Sequence, residues 1–152
     1  MGNQAVHSRL YAAAWIATEA NQNGKRILIR ARKISPEMYA CAALPIVVTI
    51  EHQYESHRKD GLPELDAARE AYVENIVKVT EAIEHGGFGI HIYGDTIDGC
   101  VREWCYTDDI NAFAKSVRKH AAAWFKYDLF YEEDPEWSYA RGLLNQHDFE
   151  SM

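Results

Sequence analysis

The stretch YGDTIDGCVREWCYTDD, residues 93–109, decides how the rest of the chain is read. Asp98-Gly99 accepts the positive φ angles of a two-residue type I′ turn, so the stretch predicts a β-hairpin. Pairing outward from that turn sets Ile97 opposite Cys100, Asp95 opposite Arg102, Tyr93 opposite Trp104 and His91 opposite Tyr106. Strand side chains alternate with a period of two, which places all of these on one face and Ile90, Ile92, Val101 and Cys105 on an apolar core face. The first face joins aromatic rings to a histidine and a carboxylate–guanidinium pair. His91, Tyr93, Asp95, Arg102, Trp104 and Tyr106 are therefore the candidate partner-binding residues.

Working back towards the start, residues 11–34 predict another hairpin: a strand from Tyr11 to Ala20, a turn at Asn21-Gln22-Asn23-Gly24, and a strand from Lys25 to Ile34. In its second strand Arg26, Leu28, Arg30 and Arg32 share a face. Such a basic face in an acidic chain reads as a solvated edge protected by charge, with a phosphate or acidic-partner site as the functional alternative. Leu44 to Tyr54 has the β-branched density of a central strand. Pro63 to His85 predicts a helix whose apolar stripe is Leu65, Ala68, Tyr72, Ile76, Val79 and Ile83, with Glu70, Glu74 and Glu81 on the solvated side. Gly86-Gly87-Phe88-Gly89 follows a helix, the reverse of the strand–glycine–helix order of a phosphate loop.

Beyond the central hairpin, Asp108 or Asp109 caps a helix with Ile110, Phe113, Val117, Ala121 and Trp124 on its inner face. Lys126 to Glu132 returns as a strand, and Asp134-Pro135 opens a last helix that ends near Asn145. The order from Leu44 is strand, helix, strand, strand, helix, strand. That predicts an α+β fold with a ferredoxin-like split β-α-β core over 44–132, preceded by the hairpin at 11–34 and followed by the helix at 134–145. At 152 residues the chain fits one domain. Both main helices should cover one sheet face and leave the aromatic face for a partner, a dimer mate or the N-terminal hairpin.

Composition narrows the chemistry. The net charge of -7 argues against general nucleic-acid binding and suits a basic protein partner. No apolar run reaches the roughly 18 residues of a membrane span. The start lacks a secretory h-region, so a cytoplasmic location and reduced thiols are expected for the three cysteines. No H-E-x-x-H or C-x-x-C spacing occurs, so no metal or other cofactor is expected. A catalytic alternative would use His91, Asp95 and Arg102 together, and single-strand RNA stacking would use Tyr93, Trp104 and Tyr106.

DGLP at 60–63, the stretch at 93–109 and DLFYEEDPEWSYARGLL at 128–144 resemble the bacterial family catalogued as domain of unknown function six-ninety-five. The family pattern falls on Gly94, Thr96, Arg102, Trp104, Tyr106, Asp134, Pro135, Trp137 and Tyr139. The chain has W-C-Y and W-S-Y where the family pattern has a longer spacing. Some members carry a domain similar to the acidic, ferredoxin-like type B regulator of ribonuclease E. The resemblance thus implies a non-catalytic regulatory, inhibitory or immunity-type binding module.

Overall fold

The computed structural model describes residues 14–34, 43–54, 58–61 and 66–145. In chain order these hold β1 (Trp15–Gln22), β2 (Lys25–Arg32), β3 (Ile46–Gln53), α1 (Asp66–His85), β4 (Gly89–Ile97), β5 (Cys100–Thr107), α2 (Ile110–His120), β6 (Asp128–Glu133) and α3 (Ser138–Asn145). The α+β architecture is one six-stranded sheet in the order β1-β2-β4-β5-β3-β6, and every neighbouring pair is antiparallel. The expected positions Tyr11, Pro63 and Leu65, and Cys41 of the three cysteines, lie outside the described residues.

Asp98 and Gly99 take positive φ values of 38° and 88°, and the register Ile97↔Cys100, Asp95↔Arg102, Tyr93↔Trp104 follows from that turn. It then breaks. A β-bulge between His91 and Tyr93 shifts the pairing, so His91 lies opposite Cys105 and Ile90 lies opposite Tyr106. One extra residue reverses the faces of everything beyond it. The expectation that His91 shares the face of Tyr93 is therefore corrected, and Ile90 and Ile92, expected beside Val101 and Cys105, pack on the aromatic side instead.

Both sheet faces are packed. On one, Tyr72, Ile76, Val79 and Ile83 of α1 and Phe113 and Val117 of α2 bury against Val48, Ile50, Val101 and Cys105. The α1 stripe arises from apolar residues at three- and four-residue steps. Helix α2 starts where Asp109 accepts a hydrogen bond from the Ala112 amide at 3.0 Å, and Arg118, Lys119 and His120 occupy its last turn, where cations oppose the helix dipole. Trp124, expected on its inner face, lies beyond the helix end and is 50% exposed.

On the other face Tyr93, Trp104 and Tyr106 pack with Ile29, Ala31, Val47, Ile90, Ile92, Trp137 and Ala140. The N-terminal hairpin does not lie over these rings. Strand β2 pairs edge to edge with β4 and widens the sheet. Trp137 stacks on Tyr106 with centroids 4.1 Å apart, and its Nε1 donates to the Leu44 carbonyl at 2.9 Å. Tyr106 donates its hydroxyl proton to Asp134 at 2.6 Å. Asp134 also accepts from the Ser138 and Tyr139 amides at 2.8 and 3.0 Å. The last helix consequently begins at Ser138 rather than Pro135, since the 134–137 segment turns to bring Trp137 inward.

Truncation of a buried aromatic leaves a cavity that its neighbours fill only in part. Trp137→Ala is expected to destabilise the fold by about 3–5 kcal/mol, read as a lower urea midpoint. An unchanged midpoint would show that the ring does not hold α3 to the sheet.

Candidate functional site

The structure divides the sequence-predicted residues between two environments. Asp95 and Arg102 form a bidentate pair, with Nε donating to Oδ1 at 3.0 Å and Nη2 to Oδ2 at 2.9 Å. The Arg102 guanidinium also lies 4.8 Å from the Trp104 ring centre, and Tyr93 meets Trp104 edge-on at 5.3 Å. The three rings of Tyr93, Trp104 and Tyr106 are 2%, 8% and 0% exposed, so none offers a free stacking platform. His91 lies on the opposite face and does not converge with Asp95 and Arg102, which corrects the arrangement a catalytic use of the three would require. His52 is on β3 and His91 on β4, with β5 between them.

What surrounds His91 is a buried carboxylate that sequence reading missed. Glu103 is 0% exposed. It accepts from Arg30 Nη2 at 2.7 and 2.8 Å, from His91 Nε2 at 2.8 Å and from the Tyr72 hydroxyl at 2.8 Å. Burial alone would raise the Glu103 carboxyl, but Arg30, His91 and Tyr72 together outweigh it and hold the group below its usual range. Burial beside that carboxylate pushes the Tyr72 phenol well up. Gly94, opposite Glu103, makes room for the cluster: a Cβ there would sit 2.2 Å from Glu103 Oε1 and 2.7 Å from Arg30 Nη2.

The basic face of β2 is likewise paired internally. Arg32 bonds Glu84 at 3.0 Å and the His91 carbonyl at 2.9 Å, while Arg26 binds Glu19 and Asp60. Apart from the Arg32–Glu84 tie, the hairpin lies towards the margin of what the two larger helices cover. Helices about 10 Å across cover about four strands spaced about 4.8 Å apart, and this sheet has two more. A cleft of about 480 Å³ results between the hairpin and the first half of α1, with Leu28, Arg30, Tyr72, Thr96 and Val101 among its lining.

The family model described as a family of unknown function, DUF695, matches residues 13–144. The chain belongs to the DUF695 family. No curated protein and no solved structure matches it.

In this DUF695 chain the edge strand β6 forms a second surface. Phe130, Tyr131 and Tyr139 are 53%, 61% and 46% exposed, and Asp128, Glu132 and Glu133 are exposed along the same strand. Two sequence signals point to these sites without specifying them: an acid, Glu103, alternating with Val101 and Cys105 on a core face, and adjacent aromatics in a strand otherwise rich in acids. Among the described residues no helix is long and apolar enough to cross a membrane.

Glu103 titrates lower folded than unfolded, so its stabilising share is complete above about pH 4.3 and is lost as pH falls through the folded value. Glu103→Gln is expected to cost about 3–5 kcal/mol at pH 7, because the Arg30 guanidinium loses its buried counter-charge and His91 and Tyr72 lose a charged acceptor. It should also fall less steeply than the parent between pH 5 and about pH 3, the remaining slope coming from groups such as Asp134. Urea midpoints over that range decide it, and parallel curves for the two proteins would count against the cluster.

Proposed function

We propose that this DUF695 chain is a non-catalytic protein-binding module of the regulator or inhibitor kind, and that its partner contributes a basic extended segment to the outer edge of β6. The observation that carries this is the sheet edge itself. Strand β6 pairs with β3 on one side, and its aromatic side chains Phe130 and Tyr131 are more than half exposed. An edge strand is a template for an added strand, which gains main-chain hydrogen bonds while side-chain pockets select the sequence. Val47, Thr49, Phe130, Tyr131 and Tyr139 line a shallow pocket there, and exposed aromatics of this kind serve as anchors in interfaces.

Charge selects the occupant. Asp128, Glu132 and Glu133 repel a second copy of the same strand and attract lysine and arginine. The whole-chain charge of -7 acts in the same direction. Tyr93, Trp104 and Tyr106 then serve as the packed support beneath this edge, through Trp137 and the β3 strand, rather than as the contact surface.

The β3-α1-β4-β5-α2-β6 unit is, in this reading, a ferredoxin-like core. The strand order β4-β5-β3-β6 supports it, as does the packing of both α1 and α2 into the same apolar cluster. The hairpin is then an addition at one edge, which leaves β6 as the core's own edge for docking.

Selection of a displayed library of random peptides of about nine residues, long enough to span the strand, tests the proposal. Enriched sequences should alternate Lys or Arg with apolar residues. The double substitution Phe130→Ala, Tyr131→Ala is expected to weaken them at least about tenfold, and Glu132→Lys with Glu133→Lys to favour acidic peptides instead. Enrichment of acidic peptides by the parent protein, or binding indifferent to these substitutions, would refute β6 as the site.

A further inference from the structure

We propose that the cleft between the N-terminal hairpin and α1 binds a small amphipathic carboxylate, with its apolar body along Leu28, Tyr72 and Val101 and its charged end at Arg30 and Arg69. This site is separate from the β6 edge and does not depend on the reading given for it.

Three observations carry the proposal. The first is size and lining: about 480 Å³, walled by residues such as Ala17, Leu28, Ala71 and Val101. That falls within the roughly 300–1,000 Å³ of small-molecule sites, which are mostly apolar with a few convergent polar groups.

The second is charge. In a chain of net charge -7, the Asp, Glu, Lys and Arg side chains that line this cleft among the described residues are Arg30 and Arg69, with no carboxylate among them. The adjoining cleft of about 440 Å³ shares Arg30 but includes Glu81 and Glu84, so an anion favours the first.

The third is unused donor capacity. Arg30 spends Nη2 on Glu103, while its Nε and Nη1 have no partner among the described residues. Its side chain is 33% exposed. A guanidinium presents five N–H donors in a planar fork and can bridge two carboxylates from different sides. Glu103 does not forbid this, because its charge is shared among Arg30, His91 and Tyr72. The buried carboxylate instead fixes the guanidinium before a ligand arrives, which lowers the entropy lost on binding. A carboxylate with an apolar tail is the ligand that two guanidinium groups in the lining of a mostly apolar trough fit.

The test uses the full chain with octanoate as probe and 1-octanol, octylamine and acetate as controls, followed by titration calorimetry and by amide shifts of Leu28, Thr96 and Val101. Octanoate should bind saturably at one site. The alcohol and the amine should bind about 10- to 100-fold more weakly, the factor associated with a hydrogen bond to a charged group. Acetate should bind weakly for want of an apolar body.

Arg69→Gln, at an exposed position, should weaken octanoate several-fold, and Ala71→Trp, which fills the mouth from the exposed side of α1, should abolish it. Both leave the Glu103 cluster intact, and unchanged urea midpoints verify folding. Equal binding of octanol and octanoate, binding unaffected by Ala71→Trp, or no binding up to the solubility limit would each overturn the proposal. Shifts of the same amides on raising protein concentration, without octanoate binding, would assign the cleft to a second copy of the chain and overturn it likewise.

Discussion

A carboxylate taken fully out of water must find compensation for lost hydration, and Glu103 finds it from three separate elements: Arg30 on β2, His91 on β4 and Tyr72 on α1. Each donor is brought by a different segment, so the cluster is satisfied only when hairpin, central strands and helix have all assembled. Such a group adds little net stability against an apolar alternative, but it penalises every arrangement that leaves the charge unpaired. The bulge at His91/Tyr93 belongs to the same constraint, since without it His91 would point to the opposite face and Glu103 would lose a donor. Gly94 belongs to it too, as the one neighbour on β4 that leaves space for the ion pair.

The width of the sheet follows from the same attachment. Arg30 and Arg32 tie β2 to β5 and α1 through Glu103 and Glu84, so the hairpin joins the sheet as two further strands instead of folding across it. Two helices cannot cover six strands, and the uncovered part of the helix-side face becomes the cleft. On the reverse face Trp137, Tyr106 and Asp134 close a second core. One device thus yields an accessible trough beside α1, and the other buries the central aromatics beneath the last helix.

Local signals were legible in the sequence and long-range ones were not. Asp98-Gly99 specifies its turn within two residues, and it correctly yields the pairs from Ile97↔Cys100 to Tyr93↔Trp104. The stripe from Tyr72 to Ile83 specifies the buried side of α1 in the same way. The bulge leaves no such mark: His91-Ile92-Tyr93 alternates polar and apolar just as an unbroken strand would, and only the distant Glu103 decides which face His91 takes. Arg30 read as a solvated edge charge because its partner lies 73 residues away. Among site residues, Asp95 and Arg102 pair as their register requires, whereas the burial of Trp104 and Tyr106 depends on contacts across the whole sheet.

Trp137 shows how closely opposed demands can meet at one position. Its φ of 57° lies in the left-handed region, where a bulky side chain costs about 1–2 kcal/mol and glycine would be at ease. The same residue supplies the ring stacked on Tyr106 and the indole bond to Leu44. Glycine would relieve the backbone and delete the ring; any other bulky residue would keep the strain and lose the indole donor. The position is therefore closed to gradual substitution: the easiest backbone and the necessary side chain cannot be reached together, and a lineage that keeps this corner must keep tryptophan in it.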